Sequence, residues 1–256
     1  MRDGSSRPGR NPHERASSAF ARPRFHAMAH RVGRIRTFAL AALVVLIVVP
    51  IALVAPLIVF QPPTTAVMLR RAAERLVNGQ RPIYPQRDIV SRDEISPYLR
   101  RAVLAAEDDR FYLHHGFVFT EIGRALDREK RGGRLRGAST ITQQTAKNIF
   151  LWEGRSWVRK ALEAWLTIAL EGCLTKERIL DIYLNLAEWG DGVFGAEMAA
   201  RTHFGKAASE LTRDEAARLA AILPSPRRLS PNGAAAARRA RTIAARMRSP
   251  APREES

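Results

Sequence analysis

Between Phe38 and Phe60 the chain runs through 23 residues, FALAALVVLIVVPIALVAPLIVF, without a charge. A helix needs about 20 apolar residues to cross a hydrocarbon core of about 30 Å, so this stretch can span with room for tilt. Pro50 and Pro56 would kink it, which membrane helices tolerate. A buried core helix would show a polar face, and none is visible here. A cleaved signal peptide has an apolar core of about 7–15 residues, shorter than this one. The small residues around Ala52–Ala55 keep cleavage as the alternative. The expected element is an uncleaved anchor over 38–60. Arg31, Arg34 and Arg36 precede it, so the positive-inside rule leaves the N-terminus in the cytoplasm and exports the rest.

The remaining composition narrows the function classes. There are 42 Lys and Arg against 25 Asp and Glu in 256 residues, a formal charge of +17. The surplus is concentrated at the ends: residues 1–37 hold nine Arg and two acids, and 227–248 hold seven Arg and no acid. Beside a membrane helix, such clusters suit anionic head groups, and export argues against a nucleic-acid partner. Residues 1–30 read as disordered, rich in Arg, Ser, Pro and Gly. With one cysteine, Cys173, a disulfide scaffold and a cysteine-based zinc site are both excluded.

The exported part carries helical periodicity and no convincing alternating strand, so a mainly α domain is expected over 93–231. A linker over 61–92 would precede it, with a short helix at 66–77, and a basic C-terminal tail or helix over 232–256 would follow. Ser91 or Asp93 can cap a helix through Ala106, and further helices are expected over 138–149, 156–171 and from Thr175. The third of these should turn Val158, Leu162, Trp165 and Ala169 inward. Thr212-x-x-Glu215 reads as a capping box.

Three clusters can carry chemistry. Glu107-Asp108-Asp109 places three acids at a helix C-terminus, where the dipole disfavours them, and such local violations mark functional sites. His114 and His115 follow, but H-E-x-x-H is absent, so a zinc site has no support. In Gly137–Asn148, Thr140, Gln144 and Lys147 share one helical face, and Ser139, Gln143 and Lys147 share the neighbouring one. Hydroxyls, amides and an ammonium on one helix suit a sugar or phosphate ligand. Arg159, Lys160 and Glu163 project together at three- and four-residue spacing, as an ordinary helix ion pair also would.

Taken in order, EDDRFYLHHG, GASTITQQTAKN, RKALE and KERILDIYLN resemble the family 51 glycosyltransferases, which polymerise lipid II into peptidoglycan. A looser fifth motif is LTRDEAARLAAILPSPRRLSP, so the likeness runs from about Ile95 to Pro231. Only 25 residues remain beyond it, so the likeness is to members without a transpeptidase domain. Departures are Ala138 where glycine is usual, Asp181 where glutamate is usual and Asp109 where arginine is common.

The resemblance implies a lysozyme-like mainly α domain with a smaller membrane-facing lobe. It implies lipid II and undecaprenyl-diphosphate-linked glycan as substrates, and cell-wall synthesis proteins as partners. It places the anchor in the bacterial inner membrane and the catalytic domain in the periplasm. Glu107 would be the general base in an inverting displacement, and Glu163 the second catalytic glutamate. Lys147, Arg159 and Lys160 would receive the departing diphosphate. Ser139, Thr140, Gln143 and Gln144 would hold sugar and diphosphate groups. Tyr183 and Asn185 would support the cleft. No prosthetic group is implied; Glu163 would orient the cations, with a Mg or Mn ion at the diphosphate as the open alternative. Between motifs one and two, over Phe117–Arg136, Ile122, Leu126 and Leu135 would dip into lipid. Two rivals stay open: a glycan-cleaving muramidase or lytic transglycosylase, and a non-enzymatic basic membrane scaffold.

Overall fold

The computed structural model describes residues 23–80, 87–120, 123, 139–154 and 156–248, with side chains described from residue 36 onward. The lipid-dipping expectation for Ile122, Leu126 and Leu135 falls outside these residues. The chain divides into two compact units, residues 1–49 and 50–256.

Helix α1 spans Pro23–Val54 and contains Pro50. A short 3-10 turn, Ala55–Ile58, continues it, so the apolar run able to cross a membrane is Arg36–Ile58. Its mean hydropathy is 3.1, and 11% of its best window is buried. An apolar helix exposed over most of this window is consistent with the expected anchor rather than a core helix. The helix begins earlier than the sequence suggested: residues 23–30, read as disordered, are helical.

The second unit holds the core. Helix α2, Ala66–Val77, starts where Thr65 accepts a hydrogen bond from the Met68 amide. The helix expected to begin near Asp93 is delayed. Ser91 and Glu94 close a separate 3-10 turn at 92–94, and α3 (Pro97–Glu107) begins at Ser96. Pro97 explains the break, because its missing N–H and fixed φ suit the first helical position. Leu99, Ala102 and Val103 are wholly buried on α3. Glu107 is therefore the last residue of a helix whose other face is locked in the core.

Helices α4 (Ile141–Phe150), α5 (Trp157–Cys173) and α6 (Lys176–Leu186) follow, and α4 packs on both α5 and α6. On α5 the expected stripe holds at Ala169, which is buried, and at Leu162 and Trp165, which pack against the core; it fails at Val158, which is exposed with its neighbour Trp157. A two-stranded antiparallel hairpin, β1 (Glu188–Gly190) and β2 (Val193–Phe194), was not expected. Strands of three and two residues are too short to show alternation. Helices α7 (Ala196–Phe204), α8 (Arg213–Ile222) and α9 (Ala234–Arg246) complete the unit. The Thr212–Glu215 capping box forms as expected. The C-terminal basic stretch is no free tail over 234–246: Ala236, Ala240 and Ile243 are buried and α9 packs on α8 and α3.

Candidate active site

The site is assembled where the end of α3 meets α4, α6 and α9. The Glu107 side chain is 14% exposed. Its Oε2 accepts from Gln144 Nε2 at 3.0 Å, and its Oε1 from Arg239 Nη2 at 3.1 Å. Gln144 is itself oriented by Tyr183, whose hydroxyl donates to Gln144 Oε1 at 3.1 Å. That phenol stays protonated, because burial raises its pKa well above the usual value. The chain Tyr183–Gln144–Glu107 thus fixes the amide so that only its NH₂ can face the carboxylate.

Burial raises the Glu107 pKa above the ordinary carboxylate range. The hydrogen bond from Gln144, the charge and hydrogen bond of Arg239 and the charge of Lys147 pull it back. Both oxygens accept donors, which favours the ionised form, but burial outweighs them and the pKa stays raised. Burial also lowers the Lys147 pKa, opposed by the charges of Glu163 and Glu153. The charge of Lys147 thus acts on Glu107, and the charges of the Glu163 cluster act on Lys147. In that cluster Arg159 Nη1 donates to Glu163 Oε2 at 2.7 Å, and Lys160 Nζ pairs with Glu163 Oε1. Glu163 is buried, Arg159 largely so, and Lys160 is 42% exposed.

The other expected ligands divide. Ser139 is exposed. Thr140 and Gln143 are buried and committed to a capping box: the Thr140 amide donates to Gln143 Oε1, and the Gln143 amide donates to Thr140 Oγ1. Thr140 Oγ1 also donates to the Gly116 carbonyl at 2.7 Å. These two groups hold the start of α4. The sequence carried that signal, since Thr-x-x-Gln is a capping-box pattern. Asn185 is fully buried, bonded to both the amide and the carbonyl of Val90.

Asp108 joins the two halves of the site. It accepts from His114 Nε2 at 2.9 Å and from the Ile141 amide at 3.0 Å. The Gly116 amide donates to His114 Nδ1, so the ring proton sits on Nε2, facing Asp108. Asp108→Ala should therefore strand a buried amide and an imidazole, at a cost of about 1–3 kcal/mol each. Chemical denaturation should show that loss, with Asp108→Asn milder because its carbonyl can still accept from Ile141.

Arg239 is the residue that sequence reasoning missed. It lies on α9, in the stretch read as a basic tail or helix, and no local pattern links it to a glutamate 132 residues away. It also donates to the Ala106 carbonyl, and Arg246 donates to the Ala105 carbonyl. The helix end that would otherwise repel an acid is thus covered by guanidinium groups. Removing one of them should raise the Glu107 pKa. The acid limb of kcat/KM, already expected above the ordinary glutamate value of about 4.3, should move to higher pH in Arg239→Gln. A limb that stayed in place or moved down would show that Arg239 does not set it.

A divalent ion finds no suitable donor set here. Among the described residues no group of three His, Cys, Asp or Glu side chains converges. Each oxygen of Glu163 faces a cation, and each oxygen of Glu107 faces a donor. The residues fit an anionic ligand beside cations better than a resident metal.

The transglycosylase family profile matches residues 75–248. A biosynthetic peptidoglycan transglycosylase of Pseudomonas entomophila is 57% identical over 165 residues, covering 64% of this chain and 70% of the relative. Its namesake in Pseudomonas aeruginosa is 54% identical, covering 69% and 75%. One in Xanthomonas campestris pv. campestris is 53% identical, covering 66% and 69%. With a profile match over residues 75–248 and relatives of this identity and coverage, the chain belongs to the transglycosylase family.

Proposed function

We propose that this transglycosylase polymerises lipid II into β-1,4 glycan strands and releases undecaprenyl diphosphate. The observation that carries the reading is that Glu107, held by Gln144 and Arg239, feels the charge of Lys147, while Lys147 feels the charges of the paired Glu163, Arg159 and Lys160. Glu107 removes the proton from the 4-hydroxyl of the acceptor N-acetylglucosamine as its oxygen attacks the donor's anomeric carbon. The bond from that carbon to the diphosphate oxygen breaks, and its electron pair leaves with the lipid diphosphate. Direct displacement inverts the α-linked donor to a β linkage. A positioned base of this kind contributes about 10²–10⁴-fold.

The leaving group is a stable anion that needs charge stabilisation more than a proton. Lys147, Arg159 and Lys160 supply it, with arginine able to grip two phosphate oxygens. Glu163 keeps Arg159 and Lys160 in place, and Gln144 holds the base. Ser139, exposed at the start of α4, remains a sugar or diphosphate contact.

The glycan-cleaving rival needs a protonated glutamate as acid and has no use for three cations. Donors on both Glu107 oxygens support the base role instead. We place the N-terminus in the cytoplasm and the second unit in the periplasm of a bacterial inner membrane, on the Arg31–Arg34–Arg36 charges. Purified protein given lipid II should yield long, muramidase-sensitive glycan with chelator present. Release of soluble muropeptides from finished sacculi, without polymer from lipid II, would overturn the reading.

A further inference from the structure

The loop that joins α4 to α5 is held by ion pairs that the mechanism above does not use. Glu153 pairs with Arg70 and accepts from Arg71 Nη2 at 3.3 Å. Both arginines lie on α2. Arg71 is itself fixed: its Nε and Nη2 clasp Glu188 of β1 at 3.1 and 3.0 Å, and its Nη1 donates to Glu74 at 2.9 Å. The side chains of Arg71 and Glu188 are 12% and 8% exposed, so this clasp is largely shielded from water. Glu153 and Arg70 are 37% and 39% exposed, and ion pairs as wet as theirs add little to stability. Stabilising the fold is therefore a poor account of the acid at 153.

The next residue meets the chemistry. The Gly154 carbonyl accepts from Arg159 Nε at 2.8 Å, and Arg159 Nη1 donates to Glu163 Oε2 at 2.7 Å. Bonds from two of its nitrogens set the plane of the guanidinium, and a set plane is what a two-point grip on phosphate requires. One of those bonds ends on a carbonyl with no fixed direction of its own. Gly154 has a φ of +146°, which L side chains rarely adopt, and glycine is free to leave it. The neighbouring Glu153 supplies the hold that the backbone lacks. Its charge also favours the ammonium of Lys147, as that of Glu163 does, while Arg159 and Lys160 oppose it.

We propose that Glu153 is a positioning residue for departure of the diphosphate: clasped by Arg70 and Arg71, it aims the Gly154 carbonyl that orients Arg159. The inference rests on the proposed lipid II reading and adds how the cations of the leaving-group site are set. The path runs from α2 through one carboxylate and one peptide unit to the guanidinium. Glu153 itself need not touch substrate.

The test is a mutant cycle on the full chain with lipid II: Glu153→Gln, Arg159→Lys and the two together. Arg159→Lys keeps a cation but loses the planar fork, so its rate stays measurable. Glu153→Gln should lower kcat about tenfold through misplacement of the guanidinium, move KM less, and leave the melting temperature unchanged. In the Arg159→Lys background the same change should cost less than about threefold, because the group it aims is gone. The basic limb of the kcat profile should also move to lower pH in Glu153→Gln, since losing an acid near Lys147 disfavours the ammonium. Glu107 on α3 and Arg159, Lys160 and Glu163 on α5 also act on or feel that ammonium, and all four are intact in this variant. A purely structural loop would shift no limb. Equal losses in both backgrounds, an unchanged kcat in Glu153→Gln, or a basic limb that stays in place would overturn the assignment and leave polymerisation standing. A wild-type chain that makes no polymer from lipid II would remove the lipid II reading and this inference with it.

Discussion

Glu107→Gln should lower lipid II polymerisation by at least 10²–10⁴-fold, about the contribution of a positioned general base. The substitution keeps the shape and leaves an amide able to accept from Arg239. It removes the carboxylate that the proposed mechanism uses to take the proton from the acceptor alcohol. The melting temperature should change little, because burial works against the ionised carboxylate in the folded protein. The sign is that of a raised pKa: the stability attached to protonated Glu107 is present at low pH and lost as pH rises through the folded value. A neutral amide escapes that loss. Near wild-type polymerisation in this variant would refute the base role, whatever happened to stability.

Lys147→Met should cost about 10²–10³ in kcat, the usual effect of removing one group that stabilises developing charge. The methionine fills a similar volume, so α4 should keep its place between α5 and α6. The ammonium is held in a buried site where Glu163 and Glu153 offset its desolvation. Its removal should therefore stabilise the fold slightly or leave it unchanged. KM should move less than kcat if the charge acts on the departing diphosphate rather than on bound substrate. A variant with raised KM and unaltered kcat would place Lys147 in ground-state binding instead. Lys147→Arg is not a safe rescue, because the larger planar head demands space that a buried point charge does not.

Much of this site was readable because its parts are local. The Arg159–Glu163 and Lys160–Glu163 pairs follow from four- and three-residue spacing, and they form. Thr175 caps α6 as its pattern required, and the helix at 66–77 appears with the same ends. What failed was non-local or ambiguous. Arg239 meets Glu107 because α3 and α9 pack side by side, and helical periodicity carries no information about which helices become neighbours. Thr140 and Gln143, expected as ligands, also form a capping box at the start of α4. Val158 lies at a helix start, where the apolar stripe no longer faces a partner. The hairpin at 188–194 is set by Gly192 and Gly195, both at positive φ, and not by strand propensity.

The bonds from Asp108 to Ile141 and from Thr140 to Gly116 have a consequence beyond holding the base and the cation helix together. They fasten the two ends of the intervening stretch to one another, across 24 residues in the case of Gly116 and Thr140. A segment closed at its root behaves as an interchangeable module: doubling its length adds only about 0.6 kcal/mol of closure entropy. Changing the number of residues between these two points should therefore cost little, and the contact of Gln144 with Glu107 should survive the change.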